Sequence, residues 1–360
     1  MSSKLFSPYS CRGVVLKNRV GVSPMCQYSA DDGMPNTWHV VHLGSRAVGG
    51  AGLVMVEAAS VAPDARISDK DIGIWNSAQV DQFRQITEFV KSQGAAPAIQ
   101  LAHAGRKGST QVPWLGRNAV PVHEGGWSTV GPSNTPFNDI YTVPREMTVQ
   151  DIHRVINEFT DAAQRSLAAG FEVLELHMGH GYLLHQFLSP LSNTRNDDYG
   201  GGFEQRIAFP LQLTKAVREV WPDHLPLFVR ISATDWIDGG WSVEDSIAFA
   251  SLLASAGVDL VDCSSGSVVP DSRGPAAPGF QAPLAAAVRK GANIATAAVG
   301  LITEPQQAED ILASGQADLI FLARALLRDP YWPLRAQQEL DGVNSWPIQY
   351  DRAVNPNALT

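Results

Sequence analysis

The stretch Glu172-Val-Leu-Glu-Leu-His177-Met-Gly-His180-Gly-Tyr182 decides how this chain is read, because an apolar strand runs out in it into a cluster of polar groups with little bulk between them. Side chains alternate faces along a strand, so Leu174 and Leu176 point one way and Val173, Glu175 and His177 the other. Gly179 and Gly181 permit tight backbone paths and crowd His177, His180 and Tyr182 around one loop. Such a loop presents three hydrogen-bonding groups to a ligand.

Seven more short apolar runs bounded by turns accompany this one: Arg19–Ser23, Leu53–Ala58, Pro97–Leu101, Leu227–Ile231, Leu260–Ser264, Asn293–Ala298 and Leu319–Ala323. Most gaps between them hold a segment with helical spacing. Gln79–Gln93 sets Val80, Phe83, Ile86, Phe89 and Val90 on one face. Thr148-x-x-Asp151 and Ser242-x-x-Asp245 open helices in the manner of a capping box, and Thr303-Glu-Pro-Gln306 opens another with proline in its first turn. Strand then helix, eight times over, predicts a closed (β/α)8 TIM barrel. The rival, an open doubly wound sheet, would want a Gly-x-Gly-x-x-Gly fingerprint after a strand, and none is present. Residues 103–147, rich in Gly, Pro and Trp, read as an excursion over one barrel end, and 341–360 as an irregular tail. The whole of 1–360 is expected to be one domain.

A hydrophobic content of 44% with 18% charged residues is that of a globular chain with a sizeable core. The net charge of −9 argues against a nucleic-acid or anionic-membrane binder, so any phosphate must be held by local groups. The first residues lack the apolar core of a secretion signal and no stretch spans a bilayer, which predicts a cytoplasmic protein. Cys11, Cys26 and Cys263 lie far apart without a Cys-x-x-Cys, so neither a disulfide framework nor a four-thiolate cluster is supported.

In barrels of this kind the site lies at the C-terminal strand ends. Alternation turns Gln100 and Arg230 inward. An inward arginine is costly unless something anionic meets it, either a bound ligand or a barrel carboxylate such as Glu175 or Glu57. His177 and His180, with His185 as a third, could ligate a metal, but no acidic partner is evident, and hydrogen-bond donation to a substrate oxygen is the better fit. Tyr182 is a candidate proton donor to a developing carbanion. Ser264-Ser-Gly266, Val299-Gly300 and Ala323-Arg324, at late strand ends, form a candidate phosphate cradle.

These residues resemble the Old Yellow Enzyme family of flavin-dependent ene-reductases, in its thermophilic-like branch. The likeness rests on Ser23-Pro-Met-Cys26-Gln-Tyr28, Val56-Glu-Ala58, Ile99-Gln-Leu-Ala-His-Ala-Gly-Arg106-Lys107, Pro144-Arg-Glu-Met-Thr148 and the opening His177-x-x-His180-Gly-Tyr182. It runs on through Leu188-Ser-Pro-Leu-Ser-Asn-x-Arg195, Val299-Gly-Leu-Ile302 and Ala317-Asp-Leu-Ile-Phe-Leu-Ala323-Arg324.

The resemblance implies noncovalent FMN held by Ser23, Pro24, Met25, Cys26, Ala58, Gln100, Arg230, Gly300, Ala323 and Arg324. Arg230 and Gln100 would face the flavin pyrimidine edge, and Cys26 would tune its potential. It implies a ping-pong reaction in which NADPH or NADH delivers hydride to flavin N5 and leaves. An activated alkene, meaning an α,β-unsaturated ketone, aldehyde, imide or nitroalkene, then takes hydride at its β-carbon. His177 and His180 would bind its oxygen, or that of a phenolic ligand, Tyr182 would protonate the α-carbon and Tyr28 would line the substrate side. A homodimer or homotetramer is implied, with Arg352 reaching the neighbour's site.

The chain departs from the family pattern at Ala323, where glycine is usual, and at Gly202-Phe-Glu-Gln-Arg206, where Ser-x-Glu-Asn-Arg is usual. Larger flavin barrels with a cysteine-ligated cluster, a noncatalytic flavoprotein and a metal-dependent hydrolase are the alternatives.

Overall fold

The computed structural model describes residues 3–343 and 345–354. Eight strands close into one barrel: β1 (Val20–Val22), β2 (Leu53–Ser60), β3 (Ala96–Ala102), β4 (Val173–Met178), β5 (Leu227–Ser232), β6 (Leu260–Ser264), β7 (Ala295–Ala298) and β8 (Leu319–Leu322). Each pairs in parallel with its neighbours in chain order, and β8 returns to β1. All eight apolar runs read from the sequence are barrel strands, with ends displaced by no more than two residues.

The longer helices between them are α1 (Thr37–Val48), α2 (Ser77–Ser92), α3 (Val149–Ala168), α4 (Phe203–Val220), α5 (Val243–Ser255), α6 (Ala282–Ala292) and α7 (Pro305–Ala313), and a short helix, Leu183–Leu188, follows β4. Reciprocal caps start α3 at Thr148 and Asp151 and α5 at Ser242 and Asp245, as the sequence predicts. In α2 the cap is Asn76 with Gln79, so the helix begins earlier than its apolar spacing indicates. Val80, Phe83, Ile86 and Val90 are buried on its inner face. Phe89, expected with them, is 41% exposed and lies across Gly44 of α1 instead. No helix among the described residues is long and apolar enough to cross a membrane.

Parallel register stacks the inward side chains in rows. Ala58, Gln100, Glu175 and Phe228 lie abreast in one row, and His177, Arg230, Asp262 and Ala297 in the next. Between Val56 and Ala58 the β2 register slips by a bulge. An extra residue re-aims the side chains beyond it, and Glu57 leaves the barrel interior: its Oε1 accepts the Gln27 N–H at 2.9 Å and its Oε2 lies 3.9 Å from His39 Nε2 of α1.

Candidate active site

The inward polar residues form a ladder beneath the barrel mouth. Gln100 Nε2 donates to Glu175 Oε1 at 2.8 Å, Arg230 Nη1 donates to Ser23 Oγ at 3.0 Å, and Arg230 Nε lies 3.1 Å from Asp262 Oδ2. The carboxylate facing the buried arginine is therefore Asp262, not Glu175 or Glu57. Asp262 sits opposite Arg230 because β5 and β6 are neighbours in register. The pair is held by charge without an aligned hydrogen bond, since Arg230 Nε and both Asp262 oxygens lack one. Burial pushes the Asp262 carboxyl up to about 6 against the pull of Arg230, and pushes Glu175 up to about 8 with help from the Asp262 charge. Burial thus disfavours a second negative charge beside Asp262, the carboxylate that faces the guanidinium.

Directly above, the structure brings the three predicted reactive side chains together. The His177 ring centre is 5.1 Å from that of His180 and 5.2 Å from that of Tyr182. His180 has a left-handed backbone, φ +56°, fixed where its N–H donates to Ser232 Oγ at 2.8 Å, and its Nε2 lies 2.7 Å from Ser264 Oγ. His177 Nδ1 is buried and has no partner. Burial, followed by the charge of Arg230, drives both imidazoles well below their ordinary values. Both rings are thus neutral at pH 7 and carry one N–H each; that of His180 is free for a ligand in the tautomer whose Nε2 accepts from Ser264 Oγ. Burial, with the charges of Cys26 and Asp71, raises the Tyr182 phenol well above its ordinary value and keeps its proton in place.

A second tier holds this turn. Gly181 has φ +71°, and a Cβ there would meet Ser267 O at 2.2 Å, so only glycine fits. The Gly181 N–H donates to His185 Nδ1 at 2.9 Å, which places the His185 proton on Nε2, 3.1 Å from Asp235 Oδ1. His185 therefore braces the loop from beneath and does not join the imidazole pair. Among the described residues no three His, Cys, Asp or Glu side chains gather as a metal site. Lys107 Nζ donates to His180 O at 2.8 Å and lies 5.1 Å from the Tyr182 ring centre. Lys107 was visible only within the motif it ends; Asp235 lies in a loop with no sequence signal.

Ser23 is buried at the end of β1, with Pro24, Met25, Cys26 and Tyr28 half-buried after it. Burial, then the charges of Asp71 and Glu57, pushes the Cys26 thiol well up. Gly300, Ala323 and Arg324 share a cavity of about 260 Å3 at the ends of β7 and β8. Gly300 has φ +114°, and a Cβ on it would come within 2.6 Å of Gln281 Nε2. Ser264-Ser-Gly266 does not line this cradle. Ser264 serves His180, and Ser265 Oγ donates to Gln281 Oε1 at 2.6 Å while Gln281 Nε2 donates to Val299 O. Gln281, which ties the two loops, was not anticipated. Tyr28 and Tyr182 line a second cavity of about 280 Å3 whose other wall is the excursion, through Lys107, Phe137 and Tyr141. Arg352 is exposed in the one-turn helix Asp351–Val354 and lines neither cavity, and residues 344 and 355–360 of the tail lie outside the described residues.

The barrel has counterparts among known proteins. The NADH:flavin oxidoreductase / NADH oxidase family matches residues 4–342. The chain belongs to this family. It is 48% identical over 354 residues to an NADPH dehydrogenase of Geobacillus sp. (strain WCH70), covering 98% of this chain and 99% of that one. It is also 48% identical over 352 residues to an NADPH dehydrogenase of Bacillus licheniformis, covering 97% and 98%. Among solved structures, morphinone reductase superposes with a TM-score of 0.80 at 25% identity over 94% of this chain and 90% of that one. A 2-naphthoyl-CoA reductase superposes at 0.84 and 26% identity, but this chain covers 52% of it. The Old Yellow Enzyme resemblance and the barrel are therefore sound, and the protein is an oxidoreductase.

Proposed function

We propose that this chain is an NAD(P)H-dependent ene-reductase that holds FMN noncovalently at the barrel mouth and reduces activated alkenes. The observation that carries the reading is the buried, unpartnered His177 Nδ1 beside a neutral His180, with a protonated tyrosine at its edge. Family membership supplies the flavin. Two features of the chain fit FMN: a buried guanidinium whose Nε lacks an aligned acceptor, and a cavity at the ends of β7 and β8 lined by Gly300, Ala323 and Arg324, where a Cβ on Gly300 would come within 2.6 Å of Gln281 Nε2. Ser23, Pro24, Met25, Cys26, Ala58, Gln100 and Arg230 would hold the ring, and Gly300, Ala323 and Arg324 the phosphate. When bound, FMN supplies a two-electron hydride couple between NAD(P)H and the alkene.

The remaining work falls to side chains of this protein. Two neutral imidazoles donate N–H groups to the substrate's carbonyl or nitro oxygen, which draws electron density from the double bond as charge develops on that oxygen. Tyr182, kept protonated by burial, gives its proton to the α-carbon. Tyr28 lines the route in. The same pair of N–H donors would take a phenol oxygen.

The test is anaerobic absorbance. The purified protein should be yellow, bleach with NADPH, and regain its colour on adding cyclohexenone or a maleimide. A yellow protein that NADPH leaves unbleached, or whose colour only oxygen restores, ends the proposal.

A further inference from the structure

We propose that Lys107, Arg117 and Arg273 form an anion subsite beside the barrel mouth that takes the phosphates of the nicotinamide donor. The inference rests on the reading above and names the groups that hold the donor's charged half. The 280 Å3 cavity between the excursion and the loop after β6 has these three cations in its wall and no carboxylate. Asp139 and Asp271, adjacent in sequence to wall residues, stay out of it. In a chain of net charge −9 the overall field repels a polyanionic donor, and only a local cluster of positive charge reverses that at the site.

None of the three pairs with a carboxylate among the described residues. Lys107 Nζ reaches two carbonyls, His180 O at 2.8 Å and Ser267 O at 3.2 Å, and Arg273 Nε reaches Pro270 O at 3.0 Å. Neither meets a carboxylate within the wall. The exposed Arg117 guanidinium makes no hydrogen bond or ion pair with any described residue. It lines the cavity together with Tyr28, Tyr141, Tyr182 and Lys107. Burial, with the charges of Arg106 and Arg117, lowers the Lys107 ammonium to about 7, so the positive groups oppose one another until an anion joins them.

Tyr182 connects this subsite to the chemistry, since it stands 5.2 Å from His177 and also lines the cavity. A ligand whose reactive ring lies at the imidazoles extends over Tyr182 toward the cations. A nicotinamide dinucleotide has that form, with a pyrophosphate and, in NADPH, a 2′-phosphate beyond its ring. Arginine's planar fork matches phosphate oxygens two at a time.

The experiment uses flavin-loaded enzyme and the variants Arg117→Gln, Arg273→Gln and the double variant. Flavin reduction is followed at varied NADPH or NADH, reoxidation with neutral cyclohexenone, and binding of 2′,5′-ADP by calorimetry. Each single variant should weaken NADPH roughly tenfold and the double variant more, with a flatter salt dependence. The limiting reduction rate and cyclohexenone reoxidation should hold at wild-type values, and 2′,5′-ADP affinity should fall in step. A loss for NADPH alone assigns the cations to the 2′-phosphate; an equal loss for NADH assigns them to the pyrophosphate; both support the subsite. Wild-type donor affinity in the double variant overturns it, and so does a loss confined to a carboxylate-bearing alkene. If NADPH fails to bleach the wild-type protein, the donor reading itself falls, an outcome distinct from either.

Discussion

Replacing Asp235 by asparagine tests whether the imidazole turn is held from below. Asp235 Oδ2 accepts from Ser189 Oγ at 2.6 Å and from the Trp241 N–H at 2.8 Å, while Oδ1 faces His185 Nε2 at 3.1 Å. His185 cannot change tautomer freely, because its Nδ1 already accepts the Gly181 N–H. An asparagine amide therefore sets its NH2 either against Ser189 and Trp241 or against the His185 N–H, and one buried donor goes unmet in both cases. His185 and Asp235 are both fully buried, so the cost is that of a stranded donor plus a lost charged acceptor, about 2–3 kcal/mol. Burial alone would raise the Asp235 carboxyl, but His185, Ser189 and Trp241 hold it below its ordinary value. Its folded pKa then lies below its unfolded one, so this stabilisation is complete above about pH 4 and is lost as pH falls through the folded value. Urea unfolding of Asp235→Asn should show a lowered midpoint at pH 7 and a gap to wild type that narrows in acid. Loosening Gly181 also frees His180, so phenol affinity should drop roughly tenfold. An unchanged midpoint together with unchanged phenol affinity at pH 7 would refute the bracing role.

His177→Ala should abolish tight binding of para-hydroxybenzaldehyde while leaving flavin content intact, because only the imidazole facing the ligand is removed; loss of flavin along with the ligand would count against that placement. Gly300→Ala should lower the flavin-to-protein ratio, since its Cβ would sit 2.6 Å from Gln281 Nε2 at φ +114°; a full complement of flavin, read from the absorbance ratio, would remove Gly300 from the cradle. Glu57 is raised by burial from its ordinary 4.5 to about 8, so the native state holds more protons than the unfolded chain across that window and stability falls as pH rises through it. Glu57→Gln keeps an acceptor for the Gln27 N–H and should flatten this decline between pH 5 and 8; an equal decline in both proteins would place the titration elsewhere.

The features legible in the sequence are those that one strand decides alone. A barrel strand is apolar, short and bounded, and its alternation tells inside from outside, so all eight strands and the inward turn of Gln100 and Arg230 were legible before any contact was known. The grouping of His177, His180 and Tyr182 was legible too, because three residues and two glycines in one turn have few places to go. Pairing across the barrel was not. Read from the sequence, Glu57 is a barrel-strand carboxylate on the same footing as Glu175, and it is the bulge in β2 that accompanies its turn toward His39. A bulge depends on how two strands match, and neither strand's sequence records it. Asp262 meets Arg230 because β5 and β6 are in register, a fact about strand order rather than composition.

The loops carry the same lesson further. Asp235, Gln281, Arg117 and Arg273 reach the site from connections whose own residues have no periodicity to read. The barrel fixes where each connection starts and ends, and loops emerging from the same end of neighbouring strands must share the space above the mouth. That is why a chain so acidic overall can gather three cations and no carboxylate in the wall of one cavity. The arrangement follows from closure of the sheet, which brings residues 107, 117 and 273 to one place although more than 150 positions separate the first from the last. If the proposed subsite holds the donor, insertions or exchanges in those connections would alter which donor is held with little effect on the imidazoles beneath, to which the cavity wall is joined through Tyr182 and the Lys107 contact to His180 O.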